Sequence, residues 1–149
     1  MPEVNQKAPD FTLKDQDAKE RKLSEFKGQN VVLAFYPFDF SPPCTEEFGC
    51  FRDDISDLKY LSAQVLGISV DSHYAHKAFH DKLKLDFPLL ADFGKEVCKL
   101  YGTLRPEGFS NRAYFIIDKH GVIKFKKIMP TPPEMLENSV LIEELKKLN

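Results

Sequence analysis

Apolar residues fall in short runs along the chain, and the spacing within those runs alternates between continuous and helical. Phe11-Thr12-Leu13 and Leu23-Ser24-Glu25-Phe26 are two small apolar patches separated by a polar stretch, residues 14–22, and closed by Gly28. They read as two short strands joined by a turn. Val31-Val32-Leu33-Ala34-Phe35-Tyr36 is unbroken up to Pro37, which predicts a strand buried on both faces, the habit of parallel sheets. Beyond Pro42-Pro43, Phe48, Phe51, Ile55 and Leu58 recur at helical intervals and define one buried stripe. A second strand is expected over residues 64–70. Asp71 or Ser72 then caps a helix whose buried side is Ala75, Ala78, Phe79 and Leu83.

Residues 87–90 predict a third strand of this series, and residues 95–101 a short helix stopped by Gly102. Residues 112–118 and 122–128 flank Asp118-Lys119-His120-Gly121, a hairpin signature in which Gly121 accepts a positive φ. After the breaker Pro130-Thr131-Pro132-Pro133, a last helix lies between residues 134 and 148. The order β-β-β-α-β-α-β-α-β-β-α implies an α/β fold, a central mixed sheet flanked by helices with an N-terminal hairpin. Sites in such sheets sit beyond the carboxyl ends of strands. Cys44 occupies that position.

Composition narrows the reading. The chain has 149 residues, 42% hydrophobic and 30% charged, and contains no repeat or linker, so residues 1–149 are expected to form one folded domain. Lys and Arg number 21 against 23 Asp and Glu, a formal charge of −2 that argues against a nucleic-acid partner. Met1-Pro2-Glu3-Val4-Asn5 lacks the basic and apolar regions of a secretory signal, and no apolar run is long enough to cross a bilayer. Three cysteines at irregular spacing make a poor disulfide framework and no zinc pattern. A cytoplasmic protein without membrane partner, metal or cofactor is expected.

Cys44 falls in the first turn of the Phe48 helix, with Ser41 as N-cap. Lowering a thiol from its usual pKa near 8.5 to about 6 takes about 3.4 kcal/mol of differential stabilisation. A helix N-terminus supplies at most about 2 kcal/mol, so a cation with hydrogen-bond donors is also needed. Among Arg21, Arg52, Arg105 and Arg112, Arg112 opens a late strand that the sheet can bring beside the end of the first buried strand. The bland alternative is a Cys44 that merely fills space, as free cysteines often do.

The stretch Tyr36-Pro37-Phe38-Asp39-Phe40-Ser41-Pro42-Pro43-Cys44-Thr45-Glu46-Glu47 resembles the Pro-x-x-x-Thr/Ser-x-x-Cys motif of the peroxiredoxins. Ala8-Pro9-Asp10-Phe11-Thr12-Leu13, Phe51-Arg52-Asp53, Phe87-Pro88-Leu89-Leu90-Ala91-Asp92 and the segment from Asn111-Arg112 through Gly121 are similar to further motifs of that family, in the same order. The alkyl hydroperoxide reductase E and bacterioferritin-comigratory (Q-type) branches match best. The resemblance implies a thioredoxin-like fold and a thiol peroxidase without cofactor. It further implies hydrogen peroxide or an organic hydroperoxide as substrate and a thioredoxin- or glutaredoxin-type reductant, in a monomer or homodimer. It also implies roles: Cys44 as peroxidatic nucleophile, Ser41 as hydrogen-bond partner of sulfur and peroxide, and Arg112 as stabiliser of the thiolate. Pro37 shields the pocket, and Glu47 orients an arginine.

The resolving step is open on this reading. Many Q-type members carry a second cysteine five residues after the first, where this chain has Gly49, with Cys50 one place later. Six residues along an ideal helix separate Cα atoms by roughly 10 Å, beyond the ~7 Å a disulfide spans, so a Cys44–Cys50 bond needs the helix to unwind. Asp54 and Asp57 share the face of Cys50 and oppose its ionisation. Cys98, between Val97 and Lys99, reads as core filler. An external thiol is favoured, then Cys50, then Cys98.

His73, His76 and His80 share one helical face and read as a solvated flank, since that face offers no carboxylate to complete a metal site. Phe38, Phe40 and Phe109 are candidates for an apolar pocket mouth. A thiol-disulfide oxidoreductase is disfavoured because Ser41 stands where Cys-x-x-Cys requires a second cysteine. A copper-binding protein is disfavoured by the spacing of Cys44 and Cys50.

Overall fold

The structure is a computed structural model that describes residues 2–42, 45, 48–49, 53, 58, 61, 63–131 and 134–148. Seven strands form one mixed sheet: β1 (Thr12–Lys14), β2 (Glu20–Lys22), β3 (Asn30–Phe35), β4 (Ala63–Ser69), β5 (Leu89–Ala91), β6 (Ala113–Ile117) and β7 (Ile123–Ile128). Their spatial order is β2-β1-β5-β4-β3-β6-β7. β3, β4 and β5 run parallel, while β6 and β7 on one side and β1 and β2 on the other pair antiparallel. Helices whose bounds fall within the described residues are α1 (His73–Leu83), α2 (Glu96–Leu100) and α3 (Asn138–Lys146).

The unbroken apolar run is the central strand β3, and all six of its residues are buried. Alternation sends Val32 and Ala34, with Tyr36 beyond the strand, into one core layer. That layer also holds Phe48, Leu58, Phe79 and Leu83 together with Leu141 and Leu145 of α3. Val31, Leu33 and Phe35 enter the opposite layer with Leu23, Phe26, Val97 and Cys98. Phe48 and Leu58 are helical and fully buried, whereas Phe51 and Ile55 of the expected stripe lie outside the described residues.

Several sequence expectations are corrected. Leu23–Phe26 is a 3-10 helix, and the second N-terminal strand is the polar segment Glu20–Lys22 just before it. As a sheet edge, β2 buries little and needs no apolar alternation. Ser72, rather than Asp71, caps α1 by accepting the Ala75 N–H at 3.2 Å. The buried face of α1 is His76, Phe79 and Leu83, with Ala78 exposed. The last helix begins at Asn138; ahead of it Leu136 donates its N–H to the Tyr114 hydroxyl at 3.2 Å. The late hairpin forms where expected. Asp118 accepts the N–H groups of His120 and Val122, and Gly121 has φ 84°.

Two features escaped the sequence pattern. A Cβ on Gly67 would lie 2.8 Å from Leu89 Cδ2 and 3.1 Å from the Phe48 ring, so a larger residue there makes the Leu89 side chain and the ring shift. Asn30 opens β3 with 1% exposure, and neither its amide nitrogen nor its oxygen has a hydrogen-bond partner. An unsatisfied buried polar group costs about 1–3 kcal/mol. Asn30→Val is therefore expected to raise unfolding free energy by about 1–2 kcal/mol, read by denaturant titration. A loss of stability would mean that the amide has a partner after all.

Candidate active site

Register builds the site at the carboxyl ends of β3 and β4. Phe35 pairs with Ile68, and the Tyr36 N–H donates to the Ile68 carbonyl at 3.0 Å, so residues 37–41 leave the sheet beside residues 70–72. On its other side β3 pairs antiparallel with β6, Phe35 opposite Ala113. One further step sets Arg112 opposite Tyr36. The Met129 N–H donates to the Arg112 carbonyl at 2.9 Å, which extends the ladder to this residue. Strand alternation turns its side chain to the layer of Tyr36, Phe48 and Tyr114, and Arg112 is only 1% exposed. The expected placement of an arginine beside the end of the first buried strand is realised.

Pro37 is buried, and Phe38 and Phe40 are largely exposed. Phe40 adopts φ 66°, a left-handed conformation unusual for a bulky residue, and its ring meets Phe79 of α1 at 5.1 Å. Ser41 donates its hydroxyl to the Phe38 carbonyl at 3.0 Å. Its own carbonyl accepts the Thr45 N–H at 2.9 Å, the first bond of a helix with Pro42 at the first position. Ser41 is thus the backbone N-cap, with its hydroxyl proton turned back onto the loop. Phe48 packs edge-on against Tyr36, ring centroids 4.5 Å apart. Cys44, Glu47, Cys50 and Arg52 lie outside the described residues.

Phe38 meets Phe109 at 5.0 Å, and the Arg105 guanidinium lies 5.7 Å from the Phe109 ring. Two of the three expected mouth aromatics therefore touch, while Phe40 turns toward α1. Cys98 is fully buried in α2, and burial together with the adjacent Asp92 pushes its thiol up to about 12. At neutral pH such a thiol holds about one thiolate in 10⁵ molecules.

Beneath residues 37–41 lies a polar cluster that periodicity did not reveal. The Tyr36 hydroxyl donates to Asp39 Oδ1 at 2.5 Å, and burial, then Asp39, holds its pKa well above the usual phenol range. His76 Nδ1 lies 2.7 Å from Asp39 Oδ2, and its Nε2 is 3.0 Å from the Leu90 carbonyl. Asp71 accepts the Asp39 N–H at 2.8 Å and the Ser69 hydroxyl at 2.6 Å, and burial raises its pKa. His76 is therefore no part of a solvated flank. Its carboxylate partners come from the ends of other strands, which a helical wheel of α1 alone does not show. Ligand atoms of Asp39, Asp71 and His76 lie within 4.8 Å of one another, close enough for a cation. Each is already hydrogen-bonded, and a metal on His76 Nδ1 would have to break the Asp39–His76 bond.

The sheet order and the loop beyond β3 define a thioredoxin-like protein of the peroxiredoxin type. The chain matches the AhpC/TSA family over residues 4–126 and belongs to it. Peroxidoxin BcpB from Mycobacterium tuberculosis superimposes with TM-score 0.91 at 26% identity, covering 100% of this chain and 99% of that one. AhpC from Enterococcus faecalis gives TM-score 0.91 at 30% identity, over 99% and 92% of the two chains. Chloroplastic peroxiredoxin Q from Triticum aestivum is 45% identical over 78% of this chain and 55% of its own length. The chain thus spans little more than half of that relative. The similarity bears out the resemblance to the Q-type branch. It overturns the cytoplasmic expectation: the wheat protein and its counterpart from Sedum lineare are both chloroplastic, and an unremarkable N-terminus was no ground for a compartment. Among the described residues no helix is long and apolar enough to cross a membrane.

Proposed function

We propose that residues 1–149 act as one thiol-dependent peroxidase unit. Cys44 as thiolate attacks one peroxide oxygen, the O–O bond breaks, and the leaving oxygen takes a proton to depart as water or an alcohol. Cys44 becomes a sulfenic acid. The observation that carries this reading is the buried Arg112, brought by strand register to the end of β3, where residues 37–41 lead into Cys44. A fixed guanidinium in a desolvated cleft stabilises the thiolate and the charge that gathers on the leaving oxygen. Pro37, itself buried, closes the loop against water. The Ser41 oxygen keeps acceptor capacity while its proton serves Phe38, and Glu47 orients an arginine.

A thiol, either external or that of Cys50, condenses with the sulfenic acid to a disulfide and water, and a reductant of the thioredoxin or glutaredoxin type then reduces that disulfide to return Cys44 to thiol; burial and a thiol pushed up to about 12 argue against Cys98. The contact of exposed Phe38 with half-buried Phe109 favours organic hydroperoxides beside hydrogen peroxide. The protein works as a monomer or homodimer, without nucleic acid, membrane, metal or cofactor. Rapid mixing of the reduced protein with one equivalent of hydrogen peroxide or cumene hydroperoxide, then intact mass and peptide mapping, tests the reading. Oxidation of Cys44 far faster than free cysteine is expected. A single added oxygen identifies an external resolver, and loss of two hydrogens with a mapped bond identifies Cys50. Oxidation no faster than free cysteine would end the peroxidase reading.

A further inference from the structure

His76 is fully buried and polar at both ring nitrogens. Its Nε2 faces the Leu90 carbonyl at 3.0 Å, and a carbonyl only accepts, so Nε2 carries a hydrogen. Its Nδ1 lies 2.7 Å from Asp39 Oδ2, and at that distance a proton must sit between them. The Asp39 side chain is 2% exposed, so this hydrogen bond is sheltered from water.

Asp39 is the middle residue of 37–41, and three of its groups are held. Oδ2 meets His76, Oδ1 accepts from Tyr36, and its N–H donates to Asp71. The bonds to Tyr36 and Asp71 tie the loop to the ends of β3 and β4. The bond to His76 ties it to α1, an element that otherwise meets the loop through the Phe40–Phe79 contact. Neighbouring Phe40 is held at φ 66°, a conformation that persists only where the surroundings impose it.

We propose that His76 is a positioning residue of the peroxidase: through Asp39 it holds residues 37–41, the loop that carries Ser41 and leads in sequence to Cys44, at the end of β3. The inference rests on the peroxidase reading above. Reaction at sulfur requires near-attack geometry, and a displacement of about 1 Å can cost about 10²-fold in rate.

Two amide replacements separate the nitrogens. The amide of His76→Asn lies near Nδ1 and can still donate to Asp39. The longer His76→Gln reaches the Leu90 carbonyl and loses Asp39. Both leave a similar hole in α1, and thermal midpoints recorded in parallel measure that shared cost. The expected result is a rate constant for Cys44 oxidation about 10²-fold lower in His76→Gln, with His76→Asn near wild type. Equal rates in the two variants, or the reverse order, overturn the proposal. Should neither fold, Asp39→Ala changes only a loop residue: it is expected to lose about as much as His76→Gln, and a wild-type rate there overturns the proposal. A wild-type protein whose Cys44 oxidises no faster than free cysteine would instead strike the peroxidase reading itself.

Discussion

Replacing Arg112 with methionine, which keeps most of its volume, should slow oxidation of Cys44 by about 10²- to 10³-fold, the usual cost of removing one preorganised charge donor. Arg112 is almost fully buried on the face of Tyr36 and Phe48, so its guanidinium acts in low dielectric, where a fixed charge is worth far more than at the surface. The helix N-terminus at Pro42 contributes at most about 2 kcal/mol toward the thiolate. Without the guanidinium the Cys44 pKa should rise toward its usual value near 8.5. The sign follows directly: the thiolate fraction at neutral pH falls, and part of the lost rate returns as pH is raised above that value. Arg112→Lys keeps the charge but not the planar fork and should recover only part of the rate. The thiolate pKa is read by pH-dependent alkylation and the rate by stopped flow. An unchanged pKa and rate in Arg112→Met would remove Arg112 from the site.

Cys44→Ser should abolish peroxide turnover. A serine hydroxyl is not ionised near neutrality, and an oxygen nucleophile cannot take the place of sulfur in accepting the peroxide oxygen. The other cysteines leave little to fall back on. Cys98 is sealed in α2 with a thiol pushed up to about 12, and Cys50 falls outside the Pro-x-x-x-Thr/Ser-x-x-Cys motif that ends at Cys44. The serine variant should therefore survive one equivalent of peroxide with its mass unchanged, while its thermal midpoint stays near that of the reduced wild type. Turnover retained in Cys44→Ser would move the chemistry to Cys50. Complete loss, with Cys50→Ser still turning over on an external thiol, would establish a one-cysteine cycle.

The central strand and the late hairpin were legible because each rests on local pattern. An unbroken apolar run means a strand covered on both sides, and Asp118 to Gly121 is a turn made by its own residues. The edge strand β2 was not legible: three polar residues at a sheet edge carry no alternation. His76 was misplaced for the opposite reason. On the wheel of α1 it sits with His73 and His80, and nothing local marks it as buried. Its burial is secured by Asp39 and Leu90, residues 37 earlier and 14 later in the chain. Polar contacts made across loops have no period, so spacing cannot announce them. The motif did flag residues 37–41 as a unit, while the cluster that anchors them from below became visible only in three dimensions.

The seat of Phe48 on Gly67 ties two distant positions into a single packing unit. Any side chain at 67 must displace either the Phe48 ring or Leu89, and Phe48 also leans on Tyr36 just where the strand gives way to the reactive loop. Inheritance at these sites is then paired. Alanine at 67 is then expected to be accompanied by a change at 48 or at 89.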